Sequence, residues 1–186
     1  MPAHAQRAYS LEEYFGIEEM SSIRHEYLGG EIYAMAGGSR NHNQIAQNVI
    51  RAFDGVRGRG CRAYLADVRL RTPGGLYTYP DVMVICGTAA LSPDRLETVT
   101  NPVVIAEVLS SSTRDYDSGQ KYELYRAIPS MRDYLLVDQY AVEVEHRFLE
   151  GREWRSQTYR VRDDVVSLTG VSVTVSLDAV YDLVDF

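Results

Sequence analysis

Apolar residues recur along this chain with two periods, and the switches between them divide it into elements. The run Tyr9-Ser10-Leu11-Glu12-Glu13-Tyr14 predicts a short helix to about Glu19, with Ser10 as cap, Glu13 completing a capping box and Tyr9 stapling onto Tyr14. Arg24 to Ala36 reads as a hairpin, with Gly29-Gly30 turning between His25–Leu28 and Glu31–Met35. Ile45, Val49, Ala52, Phe53 and Val56 then return at helical spacing, which predicts an amphipathic helix from Ser39 or Asn41 to about Val56. Three strand-like runs follow: Cys61 to Thr72, Leu76 to Cys86 and Pro102 to Ser110, separated by Pro73-Gly74-Gly75 and by a loop around Ser92-Pro93-Asp94. The latter two are apolar almost throughout, as strands covered on both faces of a layered α/β domain must be. A helix from about Asp117 to Ala127 has to end before Pro129, and Asp133 to Asp138 reads as another buried strand. From Val142 onward apolar and polar residues alternate, which predicts half-exposed antiparallel strands turning at Glu150-Gly151-Arg152 into Trp154 to Val161.

Three charges interrupt this pattern. Asp81 stands at the head of Val82-Met83-Val84-Ile85, and Glu107 stands near the end of Val103-Val104-Ile105-Ala106. A carboxylate in a covered strand costs several kcal/mol unless it is hydrogen-bonded, paired or bound to a metal. Lys121 shares one helical face with Leu124, Tyr125 and Ile128, so it heads inward, and it is the only lysine in the chain. If the three converge, they form either a buried salt-bridge network or a site with a definite chemistry. The two carboxylates, with a backbone carbonyl such as that of Val108, are hard oxygen donors suited to Mg²⁺ or Mn²⁺. The ammonium would orient an attacking water and offset negative charge growing on a phosphate.

Composition narrows the setting. The 186 residues, 45% of them hydrophobic, suit one domain over residues 1–186 with a substantial core. No apolar run approaches the roughly 20 residues that span a bilayer, and the first residues lack the apolar stretch of a secretory signal. A cytosolic protein with no membrane partner is therefore expected. Cys61 and Cys86 lie in or beside apolar runs without the paired spacing of a zinc site, so both are expected to be buried free thiols. The net charge of -7 argues against coating nucleic acid by bulk electrostatics. Between residues 51 and 71, however, six arginines stand against two aspartates. Arg69 and Arg71 in this stretch either contact phosphates or belong to a solvated face.

The ordered set Gly30-Glu31-Ile32-Tyr33, His42, Asp67-Val68-Arg69-Leu70-Arg71, Tyr79-Pro80-Asp81 and Glu107-Val108-Leu109-Ser110 through Thr113, Asp117, Lys121 and Tyr125 resembles the PD-(D/E)XK nuclease superfamily. More closely, it resembles the Uma-two family of endonucleases, long catalogued as a domain of unknown function. The likeness covers nearly the whole chain. It implies a restriction-endonuclease-like α/β fold: a central mixed β-sheet flanked by helices, with an N-terminal hairpin and a C-terminal antiparallel β extension. It also implies a Mg²⁺- or Mn²⁺-dependent endonuclease acting on DNA, with Asp81 and Glu107 as metal ligands and Lys121 as the catalytic lysine. The superfamily's usual lysine lies two residues after the acid, where this chain has Leu109, so the lysine here has moved to the following helix. Three more positions are candidates: Glu31 as an additional acid or a surface carboxylate, His42 as an auxiliary polar residue or a cap, and Tyr125 as a holder of the ammonium or a packing residue. Asp67 is read as a partner of Arg69 or Arg71. The half-exposed C-terminal strands suggest a homodimer. The competing functions are a catalytically silent binding module of the same fold and a nuclease acting on RNA or branched DNA.

Overall fold

The computed structural model describes residues 7–35 and 37–186. Helix α1 (Leu11–Met20) carries the expected capping box between Ser10 and Glu13. Tyr9 is exposed, while the buried ring of Tyr14 packs on Phe15, Tyr27 and Tyr77. Strands β1 (His25–Leu28) and β2 (Glu31–Ala34) form the hairpin, and Gly29 and Gly30 take the positive φ its turn requires. Its expected end, Ala36, lies outside the described residues. Helix α2 (Arg40–Ala52) follows, capped by Ser39, and gives way to a 3₁₀ turn over Asp54–Arg59.

The run from Cys61 to Thr72 is not one strand but two: β3 (Cys61–Leu65) and β4 (Leu70–Arg71) belong to different sheets. Leu76 to Cys86 divides in the same way into β5 (Tyr77–Thr78) and β6 (Val82–Cys86), and the break falls on Tyr79-Pro80-Asp81. Pro80 has no N–H to give to a ladder, so pairing stops there and Asp81 sits where the chain crosses between sheets. The expected loop near Ser92 contains the short pair β7 (Leu91–Ser92) and β8 (Arg95–Val99). Strand β9 (Val104–Leu109) leads into a helical segment made of α3 (Arg114–Tyr116), a wide π turn (Asp117–Lys121) and α4 (Tyr122–Arg126). Strands β10 (Asp133–Asp138), β11 (Val144–Glu150) and β12 (Glu153–Tyr159) follow, then the pair β13 (Val165–Ser167) and β14 (Thr174–Ser176), and α5 (Leu177–Val180).

The larger sheet runs β12-β11-β10-β9-β6-β3 and is mixed, with β9 and β10 parallel and the other neighbours antiparallel. Because side chains alternate along a strand, Val82, Val84, Val104 and Ala106 face α2 and α5, while Met83, Ile85 and Ile105 face Tyr125 and Ile128. Glu107 has the parity of Ile105 and so points to the α4 side. The antiparallel register sets Cys61 opposite Cys86, and a disulfide joins them. The expectation of free thiols is thus corrected: a spacing of 25 residues looks unpaired along the chain but closes across the β3–β6 ladder.

A second buried polar cluster lies outside the crossing. The Asp133 carboxylate, fully buried, faces His146 Nε2 at 2.8 Å and accepts from the Thr169 and Gly170 N–H groups at 2.8 and 2.6 Å. It ties β10 to β11 and to the β13–β14 turn. Asp133→Ala would leave these donors buried without an acceptor, and urea unfolding should show a loss of about 3–5 kcal/mol.

Candidate active site

The ladder between β6 and β9 ends at the pair Val82–Ala106, and beyond it the strands part. Two side chains take over the backbone groups freed there. Asp81 N–H donates to Glu107 Oε2 at 3.1 Å, and Val108 N–H donates to Asp81 Oδ2 at 2.8 Å. Each acid therefore satisfies the other strand's backbone, which fixes both carboxylates in a fork between the diverging strands.

Lys121 closes the fork from below. Its Nζ lies 2.9 Å from Glu107 Oε1, 2.9 Å from Glu26 Oε1 and 3.3 Å from Asp117 Oδ1. Tyr125, one turn further along the same face, donates its hydroxyl to Glu107 Oε1 at 2.8 Å. Glu26 comes from β1 and also accepts from the Thr78 hydroxyl. Glu26, Glu107, Asp117 and Lys121 are all buried. Three carboxylates thus share one ammonium. Burial alone would lower the Lys121 pKa, but Glu107, Tyr125, Glu26 and Asp117 outweigh it and hold the lysine charged. The surplus falls on the acids: burial drives the Glu107 carboxyl well above the usual carboxylate range, against the pull of Lys121, and the charges of Asp81 and Asp117 add to the rise. Asp117 is raised by burial as well.

On the other side of the fork, His42 Nε2 lies 3.2 Å from Asp81 Oδ2. Burial disfavours its charged ring, yet the hydrogen bond and charge of Asp81 prevail and its pKa is raised. The first turn of α2 positions it, since its N–H donates to the Ser39 cap. Gly38 leaves room for it: a Cβ there would meet His42 Nδ1 at 2.7 Å.

Asp81, Glu107, Lys121, Glu26, Asp117 and His42 line one open cavity of about 860 Å³. Glu31 reaches only its rim, where it is exposed and accepts from the Tyr33 hydroxyl. Arg69 and Arg71 lie elsewhere. Arg69 donates to Thr98 Oγ1 and the Tyr79 hydroxyl and lines a separate cavity of about 690 Å³, whereas Arg71 sits 3.4 Å from Asp94. Asp67 faces Arg24 at 3.4 Å, not Arg69 or Arg71. Glu26 is missed in the sequence, and Asp117, named there only as a helix start and within the family pattern, is given no place in the site. Asp117 stands four residues before Lys121, the spacing of a helical pair, which could have pointed to it. Glu26 carries no such signal, because only the tertiary placement of β1 beside Lys121 of the π turn brings it in.

A mixed sheet flanked by helices, with a carboxylate fork at the point where two central strands part, is the restriction-endonuclease-like α/β fold. The chain belongs to the Uma2 family, described as "Putative restriction endonuclease", whose model matches residues 11–179. It is 39% identical over 145 residues to the uncharacterised protein sll1609 of Synechocystis sp., covering 76% of this chain and 82% of that protein. It is 36% identical over 191 aligned residues to the uncharacterised protein slr1290 of the same organism, covering 97% of each. Among solved structures it is similar to a putative nuclease belonging to DUF820 from Anabaena variabilis, with a TM-score of 0.74 at 16% identity, covering 93% of this chain and 97% of that one. No helix of the described residues is long and apolar enough to cross a membrane.

Proposed function

We propose that this cleft is the active site of a metal-dependent endonuclease that hydrolyses phosphodiester bonds in DNA. The observation that carries the reading is the fork itself, with Asp81 and Glu107 held side by side and a lysine fixed against Glu107. Among the described residues no three His, Cys, Asp or Glu side chains form a ready-made metal cage. Two carboxylates and the Val108 carbonyl nevertheless fit Mg²⁺ or Mn²⁺, since Mg²⁺ keeps several waters and takes one or two carboxylates plus substrate phosphate. Burial first, and the charges of Asp81 and Asp117 after it, raise the Glu107 carboxyl, and a bound cation would offset that rise by favouring the ionised form. When bound, such an ion would supply an activated water and neutralise phosphate charge.

The protein's own groups divide the remaining work. Lys121, charged and immobile among three carboxylates, presents positive charge where the pentacoordinate phosphorus gathers negative charge. Tyr125 holds Glu107 Oε1, so the other oxygen keeps its place beside Asp81. His42, with its raised pKa, steadies Asp81 and can deliver a proton to a leaving oxygen.

The mutual satisfaction of Lys121, Glu26, Glu107 and Asp117 favours a second reading, a catalytically silent binding module that uses these charges structurally. A cleavage screen separates the two. Single-stranded, double-stranded and branched DNA and RNA are incubated with the protein in Mg²⁺, in Mn²⁺ and in chelator. Cleavage in metal that stops in chelator is the expected result. Intact substrates throughout, with no calorimetric Mn²⁺ binding, would overturn the nuclease reading.

A further inference from the structure

The active-site cavity is built unlike a duplex-binding groove. Five of the residues lining it are acids, Glu26, Glu31, Asp81, Glu107 and Asp117, and among the described residues Lys121 is the only lysine or arginine there. That lysine is already surrounded by three carboxylates. Duplex recognition rests on cations that neutralise backbone phosphates, and this wall offers almost none.

It offers rings instead. Tyr33, from β2, is 50% exposed, and Tyr140, just after β10, is 55% exposed; both line the same cavity as Asp81 and Glu107, from separate elements of the fold. Neither ring hangs free. The Tyr33 hydroxyl donates to Glu31, while the Tyr140 hydroxyl accepts from Ser111 N–H at 3.3 Å and its own N–H donates to Asp138 Oδ1 at 2.7 Å. Each ring is tethered at its polar end and leaves apolar surface open. Tethered, half-exposed aromatic rings are what unpaired bases stack on, and every base has a face that can do so. A duplex, with its bases stacked inward, cannot use them.

We infer that the substrate is single-stranded nucleic acid, or an unpaired stretch within a longer molecule, whose bases stack on Tyr33 and Tyr140 while its backbone passes over the Asp81–Glu107 fork. This rests on the cavity being a nuclease site, as proposed above, and adds the form of the substrate. Base stacking supplies the affinity that the acidic wall withholds.

Fluorescence anisotropy tests it without cleavage. The full chain is titrated, in Ca²⁺ and in chelator, against labelled single-stranded DNA, single-stranded RNA and a blunt DNA duplex of equal length. Single strands should bind at least about tenfold more tightly than the duplex, and Tyr33→Ala and Tyr140→Ala should each weaken that binding by about 5- to 100-fold. Tyr33→Phe and Tyr140→Phe should restore most of it. The two single-strand arms assign the sugar. Duplex binding as tight as single-strand binding, alanine variants that bind like the parent, or a parent that binds none of the three overturns the inference. Because the readout is binding, a protein that holds single strands but cuts nothing refutes the nuclease reading alone, and one that cuts but prefers duplex refutes this inference alone.

Discussion

Asp81→Asn and Glu107→Gln should each lower the single-turnover rate of metal-dependent cleavage by about a thousandfold or more while leaving the protein folded. Both replacements keep the shape of the fork. The amide oxygen introduced by Asp81→Asn can still accept from Val108 N–H, and the one introduced by Glu107→Gln can still accept from the N–H of residue 81, so the parting strands stay tied. What disappears is negative charge. Glu107→Gln should cost some thermal stability, because its single amide oxygen cannot accept both from the N–H of residue 81 and from Tyr125 and Lys121. Calorimetric Mn²⁺ titration should show affinity lost in both variants. If Asp81→Asn cleaved within about tenfold of the parent, Asp81 would not be a metal ligand.

The second large effect falls on stability. Lys121→Met leaves Glu26, Glu107 and Asp117 buried around a side chain that cannot pair with them. Removing one partner from a buried ionic network costs about 3–5 kcal/mol. For a chain of this size that lowers the melting temperature by about 6–20 °C. Adding Glu26→Gln to Lys121→Met removes one orphaned charge, and the new amide oxygen can still accept from the Thr78 hydroxyl, so part of the loss should return. The double variant also separates the lysine's two roles. A lysine that only supports the fold predicts that cleavage returns with stability, whereas a lysine at the reacting phosphate predicts a stable protein that stays inactive. The inactive protein is the expected result. A melting temperature within about 2 °C of the parent in the single variant would contradict the burial argument.

Much of the fold was legible along the chain because local patterns specify local elements. The capping box of α1, the Gly29-Gly30 hairpin and the fully buried strand Asp133–Asp138 follow from short-range chemistry and stand where that chemistry puts them. Errors arose where an element depends on partners distant in sequence. Cys61–Thr72 and Leu76–Cys86 look continuous because their residues all favour strands, yet each divides between two sheets. The β13–β14 pair and α5, which cover the α2 face of the core, carry too short a pattern to be read alone.

The sequence by itself determined that Asp81, Glu107 and Lys121 each needed a partner, because isolated charges in apolar runs must find compensation. Only the tertiary structure decided how they meet. The break at Pro80 parts β6 from β9 and turns Asp81 toward Glu107, and the π turn and α4 carry Lys121 beneath them. The folded hairpin brings in Glu26, whose hydroxyl partner Thr78 lies 52 residues away. The β3–β6 register closes Cys61 onto Cys86. Each of these rests on a pairing between distant segments, and no local period encodes such a pairing.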